Sequence, residues 1–520
     1  MMFYKEILNP VREAIGKYGA RNAFFIDGMY YTYRQLAERI SAIRSVIRAA
    51  EKDEKIWGLA LHDDLNTYAS IFALWMEGKA YVPLNPNQPK ERHHEVIKSV
   101  GTHYILSSDV NYNPEVEGVN VISTAEVSPE NTLPCGGFKP VNVPDSNIAY
   151  ILFTSGSTGK PKGVQITRGD LSAFIDSMDN IGLDITEKDR CLQPFDLTFD
   201  FSVSSYVIPL AKGASIYTIP NKATKFTYIA ELLEEYHLTV LQMVPSMIRN
   251  LLPYMDEVDV SSVRYNILCG EALMGKVIKA WHQANPEMIS YNMYGPTEDT
   301  VFCTYYLIDK NNTDNLLASN DIVSIGKTFK NSGVLLVGEK DEVISQPNME
   351  GELCLCGDQL TPGYWKNEKE NTEKFFVKEG VRYYRTGDLC YYAEDGNLMY
   401  VSRKDFQVKI NGFRVELGEI ENRYAALSGG RYAVVLPYLN EQGNTELAIV
   451  IEGAEYDVKE HRTALANTLP AYEVPAQWLF IRNIPLNQNG KVVRRMGSLG
   501  SKFCSLYSIR FFKLYFALGS

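Results

Sequence analysis

The chain contains no run of about 18 uncharged apolar residues, so no segment is suited to cross a membrane as a helix. Its start, Met1-Met2-Phe3-Tyr4-Lys5-Glu6, lacks the basic stretch and apolar core of a secretion signal. A basic excess is missing too: 52 Lys and Arg stand against 63 Asp and Glu, for a net charge of −11. That argues against general binding of nucleic acid, which needs positive charge to neutralise phosphates. The eight cysteines, Cys135, Cys191, Cys269, Cys303, Cys354, Cys356, Cys390 and Cys504, are scattered. Only Cys354-Leu355-Cys356 is closely spaced; this is neither a zinc knuckle nor a CxxC redox pair, and alternation puts both cysteines on one face of a strand. A reducing, cytoplasmic setting is expected. Internal repeats and low-complexity tracts are also lacking.

What is present is enough apolar material for several cores. The chain has 520 residues, 45% hydrophobic and 22% charged, and should divide into more than one domain. The most informative stretch follows the apolar run Ile148-Ala149-Tyr150-Ile151-Leu152-Phe153, which reads as a buried strand. Thr154-Ser155-Gly156-Ser157-Thr158-Gly159-Lys160-Pro161-Lys162-Gly163 then supplies four hydroxyls, three glycines and two lysines. Glycines let backbone N–H groups approach a ligand, hydroxyls donate to phosphate oxygens, and lysines add positive charge. The loop is suited to a polyphosphate, yet it fails the G-x-x-x-x-G-K-[ST] pattern because Pro161 follows Lys160 and Gly156 lies only three residues before Gly159. The competing reading is a flexible Gly/Ser surface loop.

Elsewhere, residues 30–50 place Leu36, Ile40, Ile43, Val46 and Ile47 at helical spacing, with Thr32 as a candidate N-cap. Trp57-Gly58-Leu59-Ala60-Leu61 reads as a strand and residues 66–78 as a helix ending at Gly78. Helical patterns alternating with short apolar strands continue to about residue 310, the signature of α/β layers with largely parallel sheets. Between about 320 and 400 the texture changes to short, glycine-punctuated strands, which predicts a β-rich subdomain. Residues 406–495 carry a smaller α+β pattern after the charged Ser402-Arg403-Lys404-Asp405. The predicted division is 1–402, 403–495 and an atypical aromatic tail, 496–520, too short and too charged to span a bilayer. That tail is expected to dock a partner or to carry no selected role, in preference to lying on a membrane.

Several polar stretches stand apart from any core pattern. These are Asn292-Met293-Tyr294-Gly295-Pro296-Thr297-Glu298, Tyr384-Arg385-Thr386-Gly387-Asp388-Leu389, the charged hairpin and helix start from Gln407 to Glu421, and Asn487-Gln488-Asn489-Gly490-Lys491. With the glycine loop, Gly78 to Pro86, and Gly351-Glu352-Leu353 through Gly363-Tyr364-Trp365, the set resembles the adenylate-forming superfamily from Tyr31 to Arg495. Within it, the chain resembles amino-acid adenylation domains, which include nonribosomal peptide synthetase modules and stand-alone D-alanine–carrier protein ligases.

The resemblance implies a fold and a set of roles. The fold is α/β, a large N-terminal domain of two α/β sheet subdomains plus a β-rich subdomain, with a small α+β C-terminal domain on a hinge at Asp405. Thr154, Ser155, Gly156, Ser157, Thr158, Gly159 and Lys162 would steady the β- and γ-phosphates of ATP. Gly270, Glu271, Asn292, Tyr294, Gly295, Thr297, Asp388 and Arg403 would surround adenine and ribose, with Tyr294 packed on the base and Asp388 accepting from the ribose hydroxyls. Glu298 would hold Mg2+, a hard cation suited to one carboxylate plus phosphate oxygens. Lys491 would be catalytic, bridging the substrate carboxylate and the α-phosphate while charge develops. The ordinary alternatives are a core tyrosine for Tyr294, a surface glutamate for Glu298, a hinge ion pair for Arg403 and an exposed turn lysine for Lys491.

Phe199-Asp200-Phe201-Ser202 resembles the Phe-Asp-x-Ser of members that activate amino acids, whose aspartate pairs with the α-ammonium. Asp196, in a similar Phe-Asp pair, competes for that assignment. Phe201, Ser204, Gln242, Cys269, Met293, Val301 and Phe302 would line the side-chain pocket, and the absence of a charge among them favours a small neutral amino acid. Carrier-domain and condensation-domain sequences are not found around these motifs, so a phosphopantetheine-bearing carrier protein would be loaded in trans by a monomer. The competing functions are an acyl- or aryl-CoA ligase of the same fold and a catalytically inactive carrier-binding protein.

Overall fold

A computed structural model describes residues 2–50, 53–127, 139–155, 161–405, 407–482 and 484. Lys491, Gly156, Ser157, Thr158, Gly159 and the 496–520 tail lie outside the described residues. The chain separates into two compact units: Met1–Asn87, His93–Phe153 and Lys162–Lys404 form one, and Gln88–Arg92, Thr154–Pro161 and Asp405–Ser520 the other.

Two largely parallel sheets dominate the first unit. The nine-stranded sheet runs in the order Lys327–Thr328, Thr304–Ile308, Ile289–Tyr294, Tyr265–Leu268, Val240–Met243, Arg190–Gln193, Ser215–Thr218, Asn22–Ile26, Met29–Thr32. Its pairings from Asn22–Ile26 to Ile289–Tyr294 are parallel and its outer pairings antiparallel. Val240–Met243 and Tyr265–Leu268 are buried along their whole length, as strands covered on both faces must be. A seven-stranded sheet contains Ile56–Ala60, Ala80–Leu84 and Ile148–Thr154 in adjacent parallel positions. The glycine-rich stretch after residue 320 folds as a six-stranded antiparallel sheet that includes Ser332–Val337, Gly351–Gly357 and Val381–Tyr392. Among the described residues, no helix is long and apolar enough to cross a membrane.

Local signals explain the element ends. Thr32 accepts from Gln35 N at 3.2 Å, and Gln35 Oε1 accepts from Thr32 N at 2.8 Å, closing a capping box on the helix Tyr33–Ala49. The helix predicted at 66–78 runs Leu65–Met76, because Asp64 caps it by accepting from Thr67 N at 2.8 Å. In the second unit, Asn411 and Gly412 have φ of 50° and 87°, the paired left-handed turn that joins Gln407–Ile410 to Phe413–Glu416 as a tight hairpin. A three-stranded sheet, Ala433–Leu439, Thr445–Glu452 and Gln477–Ile481, packs there with the helix Leu417–Leu427 around Ile420, Tyr424, Val435 and Ile449.

A second capping box has a pH consequence. Thr167 Oγ1 accepts from Asp170 N at 3.1 Å, and Asp170 Oδ2 accepts from Thr167 N at 2.8 Å, at the start of the helix Arg168–Met178. Burial nevertheless pushes the Asp170 carboxyl up to about 6 from 3.8. Since the folded value lies above the unfolded one, folding favours the protonated acid; that contribution is complete below pH 3.8 and is lost as pH rises through about 6. Asp170→Asn retains an acceptor for Thr167 N and cannot ionise. Its stability relative to the parent should therefore rise by about 2–3 kcal/mol between roughly pH 4 and pH 8, read by denaturant unfolding at both pH values. A difference that does not vary with pH would contradict the linkage.

Candidate active site

The parallel strands of the nine-stranded sheet carry Gln242, Cys269, Asn292, Met293 and Tyr294 at or just past their carboxyl ends, where open α/β sheets bind ligands. Met243 lies opposite Leu268, and Leu268 opposite Asn292, so Gln242, Cys269 and Met293 fall within one residue of a common line across three strands. The helix Phe201–Lys212 lies against them: Ser204 Oγ donates to Gln242 Oε1 at 2.6 Å, and both residues are fully buried. Phe201 meets Phe302 edge-on with ring centroids 4.9 Å apart. Val301 precedes Phe302, is buried, and has φ of 74°. The structure thus brings together Phe201, Ser204, Gln242 and Phe302 by direct contact.

Asp200 and Asp196 occupy different environments. Asp196 Oδ1 accepts from Thr198 N and Thr198 Oγ1, both at 2.8 Å, and Asn85 Nδ2 donates to its other oxygen. Those bonds make Asp196 a turn-holding residue. Asp200 is the buried N-cap residue of Phe201–Lys212, and its side chain makes no capping bond to that helix. A carboxylate at a helix N-terminus is stabilised in its charged form by the helix dipole.

Tyr294 ends the strand Ile289–Tyr294, and its hydroxyl donates to Asp388 Oδ2 at 2.5 Å. Arg403 donates through Nη1 to Asp388 Oδ1 at 2.7 Å and through Nη2 to Thr386 O at 3.0 Å. Register fixes this: Asp388 and Arg403 face each other on paired antiparallel strands. Burial, reinforced by the Asp388 carboxylate, raises the Tyr294 phenol well above its ordinary value, so it stays a donor. Asn292 Nδ2 donates to Ser324 O at 2.8 Å, tying the strand to the next segment. Gly270 takes a left-handed φ of 89°, and Glu271 accepts from Ser246 N and Ser246 Oγ, both at 2.9 Å.

Glu298 is buried on the short turn Thr297–Asp299, and its Oε1 accepts from the Tyr364 hydroxyl at 2.7 Å. Tyr364 was visible in the sequence only as part of Gly363-Tyr364-Trp365; nothing local marks it as the partner of a carboxylate 66 residues away. Lys162 is buried, pairs with Glu370 at 3.0 Å, and sits 5.6 Å from the Tyr364 ring centroid. Within the second unit, Ser155 Oγ donates to Arg414 O at 2.7 Å and accepts from Glu416 N at 3.1 Å. Thr154 is half-buried at the end of Ile148–Thr154, and Asp405 accepts from Gln407 N at 3.2 Å. No group of three or more His, Cys, Asp or Glu side chains among the described residues is placed to hold a metal.

A carboxylate fixed by both a tyrosine and an arginine, with a buried glutamate on the turn that follows the tyrosine, has the form expected of an adenylate-forming enzyme. The chain belongs to the AMP-binding enzyme family, whose sequence pattern matches residues 11–365. It is 33% identical over 486 residues to the D-alanine--D-alanyl carrier protein ligase of Lactococcus lactis subsp. lactis (strain IL1403), covering 89% of this chain and 93% of that protein. Tyrocidine synthase 3 of Brevibacillus parabrevis is 33% identical over 91% of this chain, which spans only 7% of that much longer relative. The Vibrio cholerae adenylation domain AlmE, solved in complex with glycyl-adenosine-5'-phosphate, superposes with a TM-score of 0.83 at 25% identity, over 96% of this chain and 97% of that one.

Proposed function

We propose that the protein activates a small neutral amino acid as its aminoacyl-adenylate and passes it to the phosphopantetheine thiol of a separate carrier protein. The observation that carries this reading is Asp200: a buried carboxylate at the head of Phe201–Lys212, beside the Phe201–Phe302 and Ser204–Gln242 contacts. An α-ammonium would complement that charge, whereas a carboxylic acid without an amine would bring no matching group. The aromatic pair Phe201–Phe302 and the Ser204–Gln242 pair supply bulk and no charge, which suits a small neutral side chain. A D-alanine ligase among the relatives and a glycyl-adenylate in a structural neighbour support the same size class.

In the first half-reaction a carboxylate oxygen of the amino acid bonds to the α-phosphorus of ATP, and the bond to the bridging oxygen of the β-phosphate breaks, releasing pyrophosphate. Tyr294 would pack against adenine, and Asp388, oriented by Arg403 and the Tyr294 hydroxyl, would accept from the ribose hydroxyls. Glu298, held by Tyr364, is a hard oxygen ligand suited to Mg2+ shared with phosphate oxygens. When bound, that ion would offset the charge gathering on the departing pyrophosphate. Lys491 stabilises the transition-state charge between the two reacting anions. In the second half-reaction the thiolate attacks the acyl carbonyl, the bond from that carbon to the phosphate oxygen breaks, and AMP leaves.

Pyrophosphate exchange across glycine and the L- and D-amino acids tests the reading. Glycine or alanine, in one configuration, should give exchange at least about tenfold above larger residues, since single methylenes discriminate by about 10–200-fold. Exchange with amine-free carboxylic acids, and none with amino acids, would replace the proposal with a CoA-ligase function.

A further inference from the structure

Thr300 and Val301 have φ of 47° and 74°. Both are β-branched, and for such residues the left-handed region is a genuine outlier that surrounding structure must enforce. The turn doubles back tightly, since a Cβ at Gly295 would lie 2.6 Å from both Phe302 Cα and Val301 O. Its entry is Glu298 and its exit is Phe302, which packs on Phe201.

One side chain spans this turn. Gln359, fully buried in the loop after the strand Gly351–Gly357, donates from Nε2 to Asp299 O and to Phe302 O, both at 2.6 Å. Both partners are carbonyl oxygens, so only the NH2 end of the amide can face them. The same loop grips the turn twice more: Thr300 Oγ1 donates to Gln359 O at 2.6 Å, and Thr361 N donates to Glu298 O at 2.9 Å. Hydrogen bonds to this one loop therefore bracket the whole turn from Glu298 to Phe302.

We propose that Gln359 is a positioning residue that couples the metal-binding carboxylate Glu298 to the substrate wall at Val301 and Phe302. By fixing both ends of one strained turn, it makes amino-acid selection and metal affinity rise or fall together. The inference rests on the roles given above to Glu298 and the pocket. It goes beyond them in naming a residue that touches neither ligand and yet sets both.

The test is Gln359→Leu in the full chain, which keeps bulk and removes both donors. Pyrophosphate exchange should show the half-saturating Mg2+ concentration and the amino-acid KM each rising about fivefold or more, as expected when a reacting group shifts by a fraction of an ångström. The preference for the best amino acid over its next larger homologue should fall about fivefold. AMP binding, which depends on Tyr294 and Asp388, should stay within about twofold, and the far-ultraviolet dichroism should match the parent's. Loss of activity with the preference unchanged, or movement of the metal dependence alone, would overturn the coupling. Thr300→Val removes one hydroxyl grip and preserves side-chain shape, so it should move the same two quantities in the same direction if Gln359→Leu fails to fold; no movement would also overturn the coupling. Should the preferred substrate prove to be an amine-free acid, the same parameters are read with that acid, so failure of the substrate reading leaves the coupling measurable.

Discussion

Lys491→Ala should slow aminoacyl-adenylate formation by about 10²–10³-fold or more, the usual cost of removing one preorganised group that stabilises developing charge. The first half-reaction brings a carboxylate against the α-phosphate, and these anions repel until a cation lies between them. A lysine does this at the transition state more than in the ground state, so kcat should fall while KM for ATP changes little. A second measurement separates this from general damage. Transfer from a chemically supplied aminoacyl-adenylate to the carrier thiol should keep the parent rate, because the proposed role confines the lysine to the first step. Exchange within about tenfold of the parent would remove Lys491 from the catalytic assignment.

Asp200→Asn is expected to lower kcat/KM for the preferred amino acid by about 10²–10³-fold, the cost of burying the substrate's ammonium without an opposing charge. The loss should be specific to the amine. Selectivity for the amino acid over the matching acid without the amino group should collapse, because asparagine no longer supplies that charge. Asp196→Asn is the control: its carboxylate holds Thr198 and Asn85, so that change should cost stability in preference to specificity. Equal loss of specificity in both variants would show that the aspartates act through the local fold.

Much of the architecture was legible because it is written in short-range patterns. Thr32 and Gln35 stand three residues apart and close a capping box; Asn411-Gly412 demands a tight hairpin turn; the uninterrupted apolar run Ile148 to Phe153 announces a buried strand. The change of texture after residue 320 anticipates the antiparallel sheet for the same reason. The site was legible as an ordered set of motifs and much less so as a set of contacts. Tyr364 on Glu298, Glu370 on Lys162, Ser246 on Glu271 and Gln359 on the Asp299–Phe302 backbone join residues far apart in sequence. No period or spacing encodes such pairs, because each depends on how separate elements pack. Asp196 and Asp200 illustrate the division: both follow a phenylalanine, Ser202 already favours Asp200 in the sequence, and the fold adds that Asp196 is engaged with Thr198 and Asn85.

The strand Asn22–Ile26 has a consequence for how the chain is made. Four of its five residues are buried, and Phe24 lies opposite Ile216 in the parallel neighbour Ser215–Thr218, roughly 190 residues further on. At about 5–20 residues per second, a ribosome takes on the order of 10–40 seconds to supply that partner. Throughout that interval Ala23-Phe24-Phe25-Ile26 has its hairpin mate Met29–Thr32 on one edge and none on the other. A nascent chain in this condition is a substrate for holding chaperones, and for pairing with its like on the same polysome. Lesions around Ser215–Thr218 would therefore surface as poor yield of protein, with unaltered kinetics in the molecules that mature.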